Sequence, residues 1–140
     1  MATTTLADLL ETAVYNTAVA DSALWNSVSG KFKHGRPLDT WTTPYVLYSF
    51  PNLPATNVYA EDAPVATALT IYFDVFSSSD YFTEAKTIGS YIRDVFDGAS
   101  LTMTGYQGMT VKLGAERPIN EEETGLWHFQ ISYKGTACKS

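Results

Sequence analysis

The sequence holds little cysteine, histidine or positive charge. Its 140 residues include one cysteine and two histidines, so the chain cannot form a disulfide framework within itself. A catalytic triad, or a zinc site built on histidine and cysteine, would need nearly all of these side chains. Nine basic and fifteen acidic residues give a net charge of −6. This balance argues against non-specific nucleic-acid binding, which requires a basic surface.

Long apolar runs are also missing. No stretch approaches the ~20 residues that a membrane-spanning helix needs. Residues 1–16 contain no Lys or Arg, which is unlike the basic start of a signal peptide. These features predict a soluble protein that is made in a reducing cytoplasm and does not associate with a membrane.

The composition is that of a folded chain. Apolar residues make up 45 % and charged residues 17 %, which excludes intrinsic disorder as the main state. The length predicts a single domain over residues 1–140 with its own core. Aromatic residues reach 14 %, and nine of them are tyrosines, which favours a surface used for contact.

Hydrophobic periodicity predicts the order of helices and strands. Helices are expected at residues 3–16, 21–28 and 80–97. Strands are expected at residues 45–50, 66–76, 100–103, 109–113 and 126–134, and residues 135–140 are expected to be frayed. This order predicts an α+β fold in which an antiparallel sheet has two helices packed on one face.

The strand at residues 66–76 has two unlike faces. Leu69, Ile71 and Phe73 alternate toward the predicted core, whereas Tyr72 and Phe76 point to the opposite side. The predicted helices are already needed on the core side. We therefore expect another subunit to cover Tyr72 and Phe76.

Two predicted loops offer further contact residues. The loop at residues 31–44 combines the basic residues Lys31, Lys33 and Arg36 with Trp41. It could contact phosphates, but in an acidic chain a solvated loop is the favoured interpretation.

The second loop, at residues 51–64, is long and rich in proline. It presents Tyr59 as an aromatic anchor and Glu61 and Asp62 as rim charges. Long loops in compact domains are usually functional, so we expect this one to dock a partner.

No cluster of residues predicts catalysis, metal binding or a cofactor. His128 is expected on the outward face of a strand and His34 on a loop, both as surface or interface residues. Gly105 and Gly108 fit a hairpin turn, because the strand–loop–helix context of a phosphate-binding loop is missing. Three glutamates at residues 121–123 fit a solvated turn better than a cation site, and Cys138 is expected to be inert in a frayed tail.

The order and spacing of the elements resemble the tail-completion family of long-tailed bacteriophages, which includes tail terminators and tail-to-head joining proteins. The resemblance covers residues 6–135. It depends on the N-terminal helix, the stretches DSALWNSVSG, PYVLYSF and ALTIYFDVFSSS, the amphipathic helix DYFTEAKTIGSYIRDVFDG, and the closing strand GLWHFQISYKG.

The resemblance implies a structural virion protein without catalysis. Members of this family assemble as rings, commonly hexamers, on the head-proximal end of the tail tube, where they end tube growth and dock to a head completion or connector protein. DNA would pass through the lumen without specific binding. The docking loops would fall at residues 31–44, 51–64 and 116–124. Two alternatives stay open, namely a tail-tube or head connector subunit and a small non-viral ligand-binding domain.

Overall fold

The structure is a computed structural model that describes residues 6–51, 66–78, 82–121 and 126–138. The described residues form helices α1 (Leu6–Val19), α2 (Ser22–Ser27) and α3 (Thr83–Phe96). They also form strands β1 (Phe32–His34), β2 (Tyr45–Ser49), β3 (Ala66–Ser77), β4 (Ser100–Leu101), β5 (Met109–Thr110), β6 (Lys112–Glu121) and β7 (Leu126–Cys138).

Five strands make the main sheet, in the order β1-β2-β3-β7-β6, and β4 pairs with β5 in a separate hairpin. All pairs in the main sheet are antiparallel except β1 with β2, which is parallel. The α+β prediction is confirmed. Strand β2 pairs with β3 and lies inside the sheet, because β1 flanks it on the other side.

The core lies between the helices and one face of the sheet. Ile88 and Ile92 of α3 are buried together with Phe73 of β3 and with Phe129 and Ile131 of β7. These five side chains belong to one hydrophobic core. Gly89 allows the close approach, since a Cβ added there would lie 2.6 Å from Cε2 of Phe129.

Local sequence signals account for the helix ends. Asp21 caps α2, because its side chain accepts a hydrogen bond of 2.9 Å from the backbone N–H of Leu24. Gly98 follows α3 with a φ of +76°, the left-handed conformation that glycine adopts without steric cost.

Two buried tyrosines differ in how their hydroxyl groups are satisfied. The hydroxyl of Tyr48 donates to the backbone oxygen of Glu11 at 3.2 Å. The hydroxyl of Tyr133 has no hydrogen-bond partner among the described residues. Burial raises the pKa of both phenols above the ordinary value, and nearby carboxylates, Glu11 for Tyr48 and Asp97 for Tyr133, add to the increase.

Three predicted boundaries are wrong. Residues 116–121, expected in a docking loop, belong to the edge strand β6, where proline and charged residues are tolerated. Part of the loop at residues 31–44 forms β1. Residues 135–138 are not frayed, because they continue β7 and pair with the start of β3, as in the pair Ala66 and Cys138. Ala137 is fully buried there.

Candidate functional site

The sheet has a second face that the described helices leave uncovered, and we call it the open face. Alternation along β3 places Tyr72, Asp74 and Phe76 on this face, opposite the core residues Phe73 and Val75. The open-face side chains of β3 are only half-buried. The open face is therefore a surface that the described part of the chain does not cover with a second layer.

Register places three cross-strand rows on the open face. One row joins Tyr45, Phe76 and His128. The next row joins Leu47, Asp74 and Gln130, and the third joins Ser49, Tyr72 and Ser132. Each row is thus formed from β2, β3 and β7, the three central strands of the sheet.

The first row continues into an aromatic row of four rings. The ring centroids of Trp41 and Tyr45 are 6.0 Å apart, those of Tyr45 and Phe76 are 5.1 Å apart, and those of Phe76 and His128 are 4.4 Å apart. Phe76 and His128 are stacked, with 19° between their planes. Aromatic rings placed side by side on a protein surface are typical of interface cores.

Asp74 holds the imidazole at the end of this row. Nε2 of His128 lies 2.6 Å from Oδ1 of Asp74, and Nε2 of Gln130 donates to the same oxygen at 3.0 Å. A carboxylate only accepts hydrogen bonds, so His128 is the donor. The side chains of His128 and Asp74 are only 13 % and 19 % exposed, so neighbouring groups fix the position of the ring.

A histidine paired with a carboxylate is also the orienting half of a general base, which activates a nucleophile. Cys138 cannot be that nucleophile. It lies ten residues beyond His128 on the same strand, which is a distance of roughly 33 Å. The Asp74–His128 pair lies at the end of the aromatic row, and its use as part of a contact surface stays a prediction.

The predicted interface residues are brought together in part. Tyr72 and Phe76 share the open face as predicted, and Trp41 joins them through Tyr45. Residues 52–64 of the predicted docking loop, which include Tyr59, Glu61 and Asp62, lie outside the described residues. The role of all these residues as an interface stays a prediction.

The basic cluster has a structural use that the sequence did not indicate. Nζ of Lys31 donates to the backbone oxygen of Thr42 at 2.5 Å, and Nζ of Lys33 donates to the backbone oxygen of Arg36 at 3.0 Å. Both lysines thus tie the loop at residues 35–44 to β1. Arg36 is exposed on that loop.

Within the described ranges, no three His, Cys, Asp or Glu side chains are grouped so that they could hold a metal ion. No helix in the described part of the chain has the length and apolar character needed to cross a membrane.

Sequence reasoning missed the contact between Asp74 and His128. The two residues lie 54 positions apart in sequence and meet only because β3 and β7 pair in one register. Alternation placed both on outward faces, but the register that makes them neighbours could not be found from either strand alone.

Comparison with known proteins gives a family match and a similar fold. The family model described as tail completion protein gp17 matches residues 12–135. No curated protein matches the sequence. One similar solved chain belongs to the structure described as the virion of native gene transfer agent (GTA) particle. It is 17 % identical, with a TM-score of 0.74, over 95 % of this chain and 97 % of that chain. At this identity the likeness shows the fold alone.

Proposed function

The chain belongs to the family of tail completion protein gp17, and from that premise we propose that it is a structural subunit of a phage-like tail. The subunit forms a ring at the head-proximal end of the tail, ends the growth of the tail tube and joins the tail to the head. It does so without catalysis. Its location is the virion, at the junction of head and tail, after synthesis in the host bacterial cytoplasm.

The observation that supports this proposal best is the open face with its aromatic row. The aromatic side chains of Tyr45, Tyr72 and Phe76 are half-buried there, although no described helix covers them. A contact with another subunit would remove the rest of their surface from water. Fully burying an exposed side chain of this size contributes roughly 1.5–3 kcal/mol, so each half-buried ring contributes roughly half of that. Such a surface is suited to contact with another subunit in an assembly.

The charge balance agrees with a ring through which DNA passes. A net charge of −6 disfavours a tight grip on phosphates, which would hinder the passage of DNA. Tail tube protein on one side and a head completion or connector protein on the other are the partners that this role requires. A hexamer is the stoichiometry we propose, following the family resemblance.

Ring formation is tested with purified protein, alone and with tail tubes. Size exclusion with light scattering gives the mass, and negative-stain microscopy distinguishes a closed ring from a long polymer. We expect closed rings, in solution or on tube ends. Long tubes would instead identify a tail-tube subunit. A protein that stays monomeric under both conditions would contradict the proposal and favour a small binding domain.

The open face is tested with the double variant Tyr72→Ser/Phe76→Ser. We expect it to remain folded and to lose ring formation, because both changes remove half-buried apolar surface without touching the core. Val19→Ser is the matched control, since Val19 is 43 % exposed on α1 and lies away from the open face. Normal rings from the double variant would exclude this face from the interface.

A further inference from the structure

A cleft of about 640 Å³ lies at the end of the open face far from the aromatic row. Two lysine side chains are the charged groups that line this cleft. Lys112 on β6 and Lys134 on β7 are directly opposite in the strand register, and Thr70 on β3 lies opposite Lys134. Along β3, six residues separate this row from Phe76, a distance of roughly 20 Å.

The positively charged side chains of Lys112 and Lys134 repel each other. Like charges directly opposite on neighbouring strands destabilise a sheet. Neither ammonium group forms an ion pair with a carboxylate in the described part of the chain. Thr110 and Thr136 add hydroxyl groups to the lining of the cleft. A bound anionic group would relieve the repulsion and would find several hydrogen-bond donors.

A group of opposite charge lies toward the opposite edge of the sheet. The loop at residues 35–44 joins β1 to β2, whereas the cleft is formed at β3, β7 and β6. Leu38 is 50 % exposed on this loop, and Asp39 beside it is exposed as well. In the described ranges, no cation forms an ion pair with Asp39.

The loop is held in place without a partner. Lys31 and Lys33 bind its backbone oxygens, and the backbone N–H of Trp41 donates to the oxygen of Leu38 at 2.9 Å. The pair Leu38 and Asp39 is therefore presented by a tied loop, which lowers the entropy that docking would cost.

We propose that Leu38 and Asp39 of one subunit dock into the cleft between Lys112 and Lys134 of the next subunit. The carboxylate of Asp39 lies between the two ammonium groups and offsets one of their two positive charges, and Leu38 contacts Ala68, the apolar side chain that the lining exposes on the open face. Because the two patches differ and lie toward opposite edges of the sheet, the contact is head-to-tail, the kind from which closed rings are built. The inference rests on the proposed ring and specifies its interface.

A nucleic-acid phosphate is the competing occupant. The cleft offers only two lysines in a chain of net charge −6, and DNA-binding surfaces rely on many basic groups. A carboxylate from an acidic second copy is the better match, since that copy brings fifteen acidic residues.

Charge exchange tests the contact. Asp39→Lys, and separately Lys112→Glu/Lys134→Glu, should each lower the association constant for ring formation roughly 30-fold. The triple variant with all three changes should regain rings, since the new lysine of one copy meets the new glutamates of the next. Lys86→Glu and Asp94→Lys change exposed charges on α3 and serve as controls with unchanged association.

A single change separates docking from folding. Lys134→Glu places a glutamate opposite Lys112, so the monomer should unfold at an equal or higher temperature while rings weaken. If wild-type rings form and none of the charge-exchange variants weakens them, the docking model is wrong, although the proposed ring is retained. The same conclusion follows if the triple variant is folded but stays monomeric. If the wild type never forms rings, even on tubes, the proposed function fails as well. If the lysine variants lose binding to a short DNA duplex but form rings normally, the cleft binds phosphates and the proposal is wrong.

Discussion

Replacing Tyr133 with phenylalanine should stabilise the protein, although the residue is fully buried. Its hydroxyl has no hydrogen-bond partner among the described residues. A buried polar group without a partner costs about 1–3 kcal/mol of desolvation. Tyr133→Phe removes that cost and keeps the ring, so we expect the free energy of unfolding to rise by about 1 kcal/mol.

Tyr48→Phe is the matched control, because this equally buried phenol donates to the backbone oxygen of Glu11. Removing its hydroxyl leaves a carbonyl without a donor, and the expected loss is about 0.5–1.5 kcal/mol. The same chemical change should therefore have opposite signs at the two positions.

The pH dependence gives the comparison a second readout. The folded pKa of Tyr133 lies above the ordinary value of 10.0 that the unfolded chain shows. Above that pH the unfolded chain loses the phenol proton while the folded chain keeps it. Stability is thus fully present below pH 10.0 and falls as the pH rises toward the folded pKa, by about 1.4 kcal/mol per pH unit for each such group. Tyr133→Phe should remove the contribution of Tyr133 to this loss of stability in alkali.

Urea unfolding, followed by circular dichroism near neutral pH and again in alkali, measures both effects. A change in stability shifts the midpoint of unfolding while the dependence of the free energy on urea concentration stays constant. A loss of more than about 1 kcal/mol in Tyr133→Phe at neutral pH would refute the reasoning, because it would mean that the hydroxyl makes a favourable hydrogen bond.

Three further substitutions test the fold by the same unfolding measurement. Ile92→Ala should cost about 2–5 kcal/mol, since Ile92 is fully buried; a loss below about 1 kcal/mol would mean that α3 does not press this face onto the sheet. Gly89→Ala should destabilise by about 1–3 kcal/mol despite the better helix propensity of alanine, because the new methyl group would overlap Phe129. Stabilisation would show that α3 can shift outward, and Thr87→Ala on the exposed side controls for propensity. Asp21→Ala should cost about 1 kcal/mol through loss of the cap on α2, with Asp21→Asn nearly neutral.

The sequence predicted the elements whose pattern is set by burial. Along β3 and β7, strict alternation separates core residues such as Phe73 and Ile131 from outward residues such as Asp74 and His128. The hydrophobic stripe of α3 is equally clear. In each case one face touches the core and the other does not, so the period of the side chains alone identifies the element.

The elements that were missed lie at the edges of the sheet. β1 has only three residues, too few to show a period, and β6 mixes charges with Pro118. Edge strands are buried on fewer sides, so their composition resembles that of loops. The candidate site was predicted only in part, because the pattern along one strand does not show which residues of other strands lie beside it. Tyr72 and Phe76 were predicted as apolar residues on the face away from the core, but their grouping with Trp41 and His128 depends on strand register.

Strand β6 also bears on how large an assembly of this chain can become. Its outer edge lies at the end of the sheet, where a strand from another copy could add on and begin a fibril. Proline within a strand is tolerated where its nitrogen faces away from the neighbouring strand, so the N–H that Pro118 lacks is missing from this outer edge. The register shift between Leu113 and Ala115 further bends the strand. For a protein proposed to end a polymer, an edge strand interrupted by a proline and a register shift is a poor template for a further strand, which disfavours continued growth of the sheet from one copy to the next.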